Sequence, residues 1–241
     1  MDAAEAALSP RLAAIAGAIE RGSRVADIGS DHGLLPLWLA ANDRAQFCLV
    51  TERTETLLAR VARPPAGSPW SMRLRYRAGD GLSAVHPGDS VDTVVLAGLG
   101  GRTIVGILGE HPPGSPALRR LVLQPRSDTA LTRRWLADHG WRPISEQLTI
   151  ERRRFHVTIV AVPGADLDLY RHPVLSREDL LHAGPLLARS RLPAVDLWWR
   201  SEKERFASIL ARSRRSGPAS EAAAGLARAE RLLAVISSPA G

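Results

Sequence analysis

Apolar positions along the chain alternate between two periods. Short runs with few polar residues, VADI (Val25 to Ile28), FCLV (Phe47 to Val50), MRLRY (Met72 to Tyr76), VDTVVLA (Val91 to Ala97) and LVLQ (Leu121 to Gln124), predict strands. Between most of them, Leu34 to Ala41, Glu55 to Ala62, Gly101 to Leu108 and Asp128 to His139 predict helices. An earlier helix is expected to start near Ser9, because Leu12, Ile15, Ala16 and Ile19 recur at helical spacing. Nearly all-apolar strands alternating with helices imply a parallel sheet covered on both faces. The stretches RPPAGSPW (Arg63 to Trp70) and HPPGSP (His111 to Pro116) interrupt that rhythm as loops.

Two further extended runs, Trp141 to Ile150 and Phe155 to Val162, are separated only by ERRR. So short a connection cannot make a parallel crossover, and an antiparallel hairpin is expected. Parallel strands followed by an antiparallel pair is the arrangement of the Rossmann-like class I methyltransferase sheet. From Pro163 the pattern changes, first to the linker-like PGADLDLYRHP and then to sustained helical periodicity in Val195 to Arg214 and Ser220 to Ile236. Two helices joined across SGPA should be antiparallel, zipped along Leu197, Phe206, Ile209 and Leu210 on one and Leu226, Leu232 and Leu233 on the other. The expected organisation is an α/β domain over residues 1–163 and a helical domain over 164–241.

Composition narrows the function classes. Asp2 and Glu5, with no sustained apolar region near them, argue against a targeting peptide, and no apolar run is long enough to span a bilayer, so a cytoplasmic protein is expected. Cys48 is the only cysteine, which excludes internal disulfides, cysteine-rich zinc sites and iron-sulfur clusters. The histidines lack HxxxH spacing, so no dedicated metal site is expected, and no obligate protein partner is implied. A net charge of +7 favours an anionic partner, although the use of arginine with Lys203 as the only lysine also fits a genome-wide bias. Arginines 205, 212, 214, 215, 228 and 231 in the tail read either as a basic clamp for a folded polyanion or as the solvated face of a helical hairpin that merely packs.

The candidate chemistry lies at the strand ends. In DIGSDHG, Asp27 and Gly29 end the first strand and Gly33 opens the first helix, whose first turn tolerates Pro36. Glycines at such a turn let backbone approach a ligand beyond the carboxyl ends of the strands. Glu52 ends the second strand, where an acid can accept both hydroxyls of a ribose. Asp31 stands where the dinucleotide fingerprint has its middle glycine; it would repel a pyrophosphate but not the sulfonium and ammonium groups of S-adenosylmethionine. That contrast favours a methyl donor over NAD, while a glycine turn that serves packing alone remains the alternative. Gly79, Asp80 and Gly81 follow the third strand, where Asp80 could accept the adenine amino proton or belong to an ordinary turn. Ala97 and Gly98, within LAGLGG, end the fourth strand and leave only small backbone beside the transferred group.

Taken together, LSPRL (8–12), ADIGSDH (26–32), GDGL (79–82), AGLGG (97–101), LQP (123–125) and RRWLADHGW (133–141) resemble the bacterial tRNA (adenine(22)-N1)-methyltransferases. The resemblance covers nearly the whole α/β domain and, more loosely, the tail. It implies a domain that binds S-adenosylmethionine and a C-terminal coiled-coil domain that helps to hold tRNA. Asp27, Gly29, Ser30, Asp31, Gly33, Glu52, Gly79, Asp80, Gly81, Ala97 and Gly98 are expected with the cofactor, Asp31 and His32 at the border of the reaction centre, and Gln124 and Arg126 facing the base or a neighbouring phosphate; the alternatives are that Asp31 binds only the cofactor's ammonium group, that Gln124 braces the strand end and that Arg126 is a solvated loop residue. The chain departs from the family pattern at Gly33-Leu34-Leu35-Pro36, where Ala-Tyr-Leu-Pro is usual, at Arg126, where Asn is usual, and at His156, where a Tyr-like residue is usual. These departures bear on the substrate side. A methyltransferase of another RNA or of a small molecule, and a cofactor- and RNA-binding module without turnover, are the alternatives.

Overall fold

A computed structural model of the chain describes residues 7–110, 117–166, 168–213 and 219–236, and the structure divides into two compact units, 1–165 and 166–241. In the first, α1 (Pro10–Ala18) starts where the Ser9 hydroxyl accepts from the Leu12 amide and Pro10 occupies a position whose missing N–H is harmless. The chain continues through β1 (Ser23–Ile28), α2 (Leu34–Ala41), β2 (Ala45–Glu52), α3 (Glu55–Leu58), β3 (Leu74–Ala78), β4 (Thr93–Ala97), α4 (Gly101–Glu110), β5 (Arg120–Gln124), α5 (Thr129–Asp138), β6 (Trp141–Glu151) and β7 (Arg154–Pro163). The strands form one seven-stranded sheet in the order β3-β2-β1-β4-β5-β7-β6. The first five are parallel and β6 and β7 close the sheet antiparallel, as expected from the sequence. The central strands are buried almost throughout, and Ile15, Val25, Leu39, Cys48, Val95 and Val122 belong to one hydrophobic cluster.

Two expectations shift. Met72 is not in a strand: it lies in the 3-10 turn Pro69–Arg73, which Pro69 opens, and is 92% exposed, and pairing with β2 begins only where Leu74 meets Cys48. The helix predicted over Glu55 to Ala62 stops at Leu58. Beyond it Val61 turns inward, buried against the β1–α2 hinge, and the Ala62 amide reaches the His32 carbonyl at 3.4 Å. The HPPGSP loop lies outside the described residues.

The second unit contains α6 (Arg177–Ala183), α7 (Pro193–Ser213) and α8 (Ala219–Ile236), and α7 and α8 pack against each other. Leu197, expected on that seam, is largely open to solvent. It is 52% exposed, whereas Val195 and Trp199, on a different face, are buried. Phe206 lies so close to Gly225 that a β-carbon there would meet its ring at 2.4 Å. Asp179, capping α6 through Ser176, receives Arg231 at 2.7 Å and Arg228 at 3.6 Å. Burial alone would raise the Asp179 carboxyl, but the bonds from Arg231 and Ser176 hold it below the ordinary value. Two of the arginines expected in a basic clamp are therefore ion-paired within the unit, sharing one carboxylate. Arg214, Arg215 and most of SGPA lie outside the described residues. Among the described residues, no helix is long and apolar enough to cross a membrane.

Candidate active site

Strands β1 and β4 are neighbours, yet the chain leaves β1 towards β2 on one side and enters β5 from β4 on the other. At this point of reversal the loops after the two strands part, and a crevice forms beyond their carboxyl ends. A cavity of about 540 Å³ occupies it. Its floor is Asp27 with Gly29 and Ser30 after β1, one wall is Glu52 at the end of β2, and the other is Ala97, Gly98 and Leu99 after β4. Asp31, His32 and Arg126 border it, Arg11 from α1 and His156 from β7 also line it, and Leu12, Leu34 and Leu35 supply apolar surface.

The cavity is built around buried negative charge. Asp27 is 5% exposed, and burial pushes its carboxyl up to about 6; the Ser30 hydroxyl, donating to it at 2.7 Å, opposes the rise, as does Arg11, while Glu52 adds to it. Glu52 accepts the Asp31 amide at 2.7 Å, which secures the turn after β1 to the end of β2. Asp31 itself adopts a left-handed conformation, φ 53°, and its exposed carboxylate lies 3.7 Å from His32 Nε2. His156 is half-buried, and burial together with Arg11 holds its imidazole below the ordinary histidine value, so it is neutral at physiological pH. Among the described residues no three His, Cys, Asp or Glu side chains gather in a way that could hold a metal ion.

The glycines named from the sequence fall into two groups. Gly29 (φ 73°) and Gly98 (φ 73°) face the cavity, and a β-carbon at either would meet only the far ends of Leu99 and Arg11 side chains at 3.8 and 3.7 Å. The other three are covered by protein. A β-carbon at Gly33 would meet Val61 at 2.5 Å, one at Gly79 Ala84 at 2.9 Å, and one at Gly81 Ile107 at 3.0 Å. Gly33, Gly79 and Gly81 are outside the lining and permit close packing of neighbouring chain. Asp80 is exposed and one step removed from the cavity, beside the Gly79 amide that bonds the Glu52 carbonyl at 2.9 Å.

Gln124 also stands elsewhere than expected. It is 1% exposed and does not line the cavity; its amide accepts from Arg11 Nη1 at 3.0 Å and donates to Thr158 Oγ1 at 2.8 Å. The strand end uses it to aim Arg11. Arg11 was not legible as a site residue from composition or spacing, since its partners, Gln124 and Glu151, are more than a hundred residues away in the chain. The signal that could have found it is its place inside LSPRL, directly after a serine cap and a proline at the start of a helix.

A protein-family profile described as a methyltransferase domain matches residues 8–159. The tRNA (adenine(22)-N(1))-methyltransferase of Bacillus subtilis is 31% identical over 205 residues, 85% of each chain. Among solved structures, the B. subtilis m1A22 tRNA methyltransferase TrmK superposes with a TM-score of 0.78 at 27% identity, covering 96% of this chain and 98% of that one. A Streptococcus pneumoniae protein solved in complex with S-adenosyl-L-methionine shares the fold at a TM-score of 0.81 and 24% identity, covering 94% of this chain and all of its own.

Proposed function

Because the chain belongs to the tRNA (adenine(22)-N1)-methyltransferase family, we propose that it methylates N1 of an adenine in tRNA, adenine-22 by family, with S-adenosylmethionine as donor. The observation that carries the reading is the cavity at the β1/β4 crevice, which combines bare backbone at Gly29 and Gly98 with the carboxylates of Asp27 and Glu52. Such a cavity repels a pyrophosphate and suits a cationic nucleoside ligand. The donor, when bound, supplies an electrophilic methyl group on a sulfonium centre.

The chain's own residues do the rest. Asp27 meets the ammonium group, and Arg11, held by Gln124, meets the carboxylate of the same amino-acid moiety. Glu52 accepts from the ribose with the capacity it does not give to the Asp31 amide. The Ala97–Leu99 backbone forms the wall along which donor and base are aligned. Adenine N1 has an in-plane lone pair, so no side chain must remove a proton before attack, and alignment supplies much of the rate. The methylated base is cationic, and the exposed Asp31 carboxylate at the cavity rim offers it a compensating charge. N1 lies on the Watson–Crick edge, so the target must be unpaired or turned out of its stack to enter. The helical unit, which the resemblance assigns to tRNA contact, adds surface for the same substrate, and the cytoplasm is where that substrate is met.

Incubation with labelled S-adenosylmethionine and unmodified tRNA is expected to give one methyl group per tRNA, placed at adenine-22 by reverse-transcription stops and by product mass. Label at another position would correct the site; no label in any tRNA, with cofactor binding intact, would reduce the protein to a binding module. The role of Arg11 has its own test. Arg11→Ala is expected to weaken S-adenosylhomocysteine binding by about 10- to 100-fold, the range for a lost charge-assisted hydrogen bond. Binding of 5′-methylthioadenosine, which lacks the amino-acid moiety, should not change. An equal loss for both ligands in calorimetry would remove Arg11 from the carboxylate.

A further inference from the structure

A second cavity, of about 360 Å³, adjoins the first: Arg126 and His156 line both, and Arg154, Phe155, Ser127 and Gly100 complete it. Its basic residues stand apart from the acidic floor of the first cavity. Arg154 begins β7, and Arg152 and Arg153 form the two-residue turn between β6 and β7. Among the described residues none of these four arginines forms an ion pair, in contrast to Arg228 and Arg231 of the helical unit, which are held by Asp179. All four are exposed.

The turn is an unusual place for such residues. Arg152 has φ 48° and Arg153 φ 64°, the left-handed pair that two-residue hairpins require and that Asn-Gly satisfies best. Two long, like-charged side chains in these positions are unfavourable for the turn itself, both sterically and by mutual repulsion. Backbone in a sparsely populated region that carries uncompensated charge is where function rather than folding explains the residues.

We infer that Arg152, Arg153 and Arg154 at the hairpin tip, together with Arg126, form a phosphodiester-binding surface of the first unit that grips the RNA strand flanking the target nucleotide. This rests on the tRNA-methylating reading above and adds to it where the backbone is held. Arg126 stands at the junction of the two cavities, so a base in the first cavity leaves its adjoining phosphates over the second. Guanidinium groups bind phosphate oxygens through paired N–H donors, and release of counterions from the RNA supplies the affinity. The Arg126 position, where this chain departs from its family, thereby becomes part of the RNA grip.

The test uses the full chain and an unmodified tRNA transcript, with binding followed by fluorescence anisotropy across a potassium chloride series. The double variant Arg152→Asn/Arg153→Gly removes both charges while giving the turn its preferred residues, so its melting temperature should equal or exceed that of the wild type. Its affinity for tRNA is expected to fall by about tenfold or more, and the slope of log affinity against log salt to flatten by ~0.7–0.9 per arginine removed. Arg154→Gln and Arg126→Gln should each flatten it by one such step. Arg21→Gln, an exposed change at the opposite end of the sheet, should leave it unchanged, and S-adenosylhomocysteine affinity should be that of the wild type in the variants of Arg152, Arg153 and Arg154, which lie outside the first cavity. Hairpin variants that bind tRNA with wild-type affinity and slope, while the wild type methylates tRNA, overturn the inference alone. A wild type that neither binds nor methylates tRNA overturns the substrate reading and this inference with it. Equal flattening by Arg21→Gln would overturn it too, by showing a diffuse charge effect.

Discussion

Asp27→Asn is expected to melt several degrees above the wild type near neutral pH while binding S-adenosylhomocysteine at least about 100-fold more weakly. Both effects have one origin. The Asp27 carboxyl is buried, and burial lifts it to about 6 from an ordinary value of 3.8. A folded-state value above the unfolded one means that the folded chain binds the proton more tightly. Well below 3.8 the group is protonated in both states and contributes no difference; as pH rises from there to about 6, the unfolded chain ionises first and stability falls. Above about 6 the whole cost of keeping an ionised carboxylate in the fold is present, on the order of 2–3 kcal/mol. Asparagine removes that cost and still accepts from the Ser30 hydroxyl, now at 2.7 Å from Asp27 Oδ2.

The lost binding follows from the same charge. An ammonium group placed against Asp27 needs the ionised form, so wild-type affinity should be constant above about pH 6 and fall by about tenfold per pH unit below it. The variant's profile should be flat over that range. Thermal melting across pH, paired with calorimetry, measures both. An Asp27→Asn protein no more stable than the wild type at neutral pH, or one that keeps wild-type affinity, would remove Asp27 from this role. A carboxylate that destabilises the empty fold and is satisfied by a ligand is the stability-for-function exchange expected at a binding site.

The other large effect lies behind the sheet. Arg133→Met should lower the unfolding free energy by about 3–5 kcal/mol, the range for breaking a buried ion pair from one side. Arg133 on α5 donates through Nε to Glu146 Oε1 on β6 at 2.6 Å, and both side chains have no exposed surface. Removing the guanidinium leaves a carboxylate that must remain charged in a dry site or take up a proton. The double variant Arg133→Met/Glu146→Leu should recover most of the loss, because apolar side chains of similar volume replace a buried pair at little net cost. Urea unfolding of the two singles and the double closes the cycle. A double variant that loses the sum of the singles would show that each residue acts independently. Arg133 opens the RRWLADHGW stretch, where Trp135 stacks on His139 with ring centroids 4.3 Å apart. That part of the family resemblance therefore marks the packing of α5 on the sheet and lies outside the cavity lining.

The same division runs through the whole molecule. Strand and helix alternation, the β6–β7 hairpin and the position of the site at strand ends were legible in the sequence, because they depend on periodicity, turn length and glycine placement within a few residues. Asp27, Asp31 and Glu52 could be named for the same reason, since acids next to strand-terminal glycines are a local pattern. What the pattern could not sort was the glycines themselves. Gly29 and Gly98 look out into the cavity, whereas Gly33, Gly79 and Gly81 are covered by Val61, Ala84 and Ile107, and only packing decides which side chain arrives. Gln124 read as a residue facing the substrate and is a buried brace, and Arg11, which it aims, comes from the other end of the unit. Arg228 and Arg231 look in the sequence like Arg152 and Arg153; the first two share the Asp179 carboxylate, and among the described residues the other two form no ion pair. The sequence by itself determined most of the elements, the order of the sheet's parallel and antiparallel parts and the kind of chemistry expected at the crevice, all of them products of local pattern. Tertiary structure alone decided which glycines face the ligand, which arginines remain available and how far burial raises Asp27, because each depends on what distant segments bring within a few ångströms.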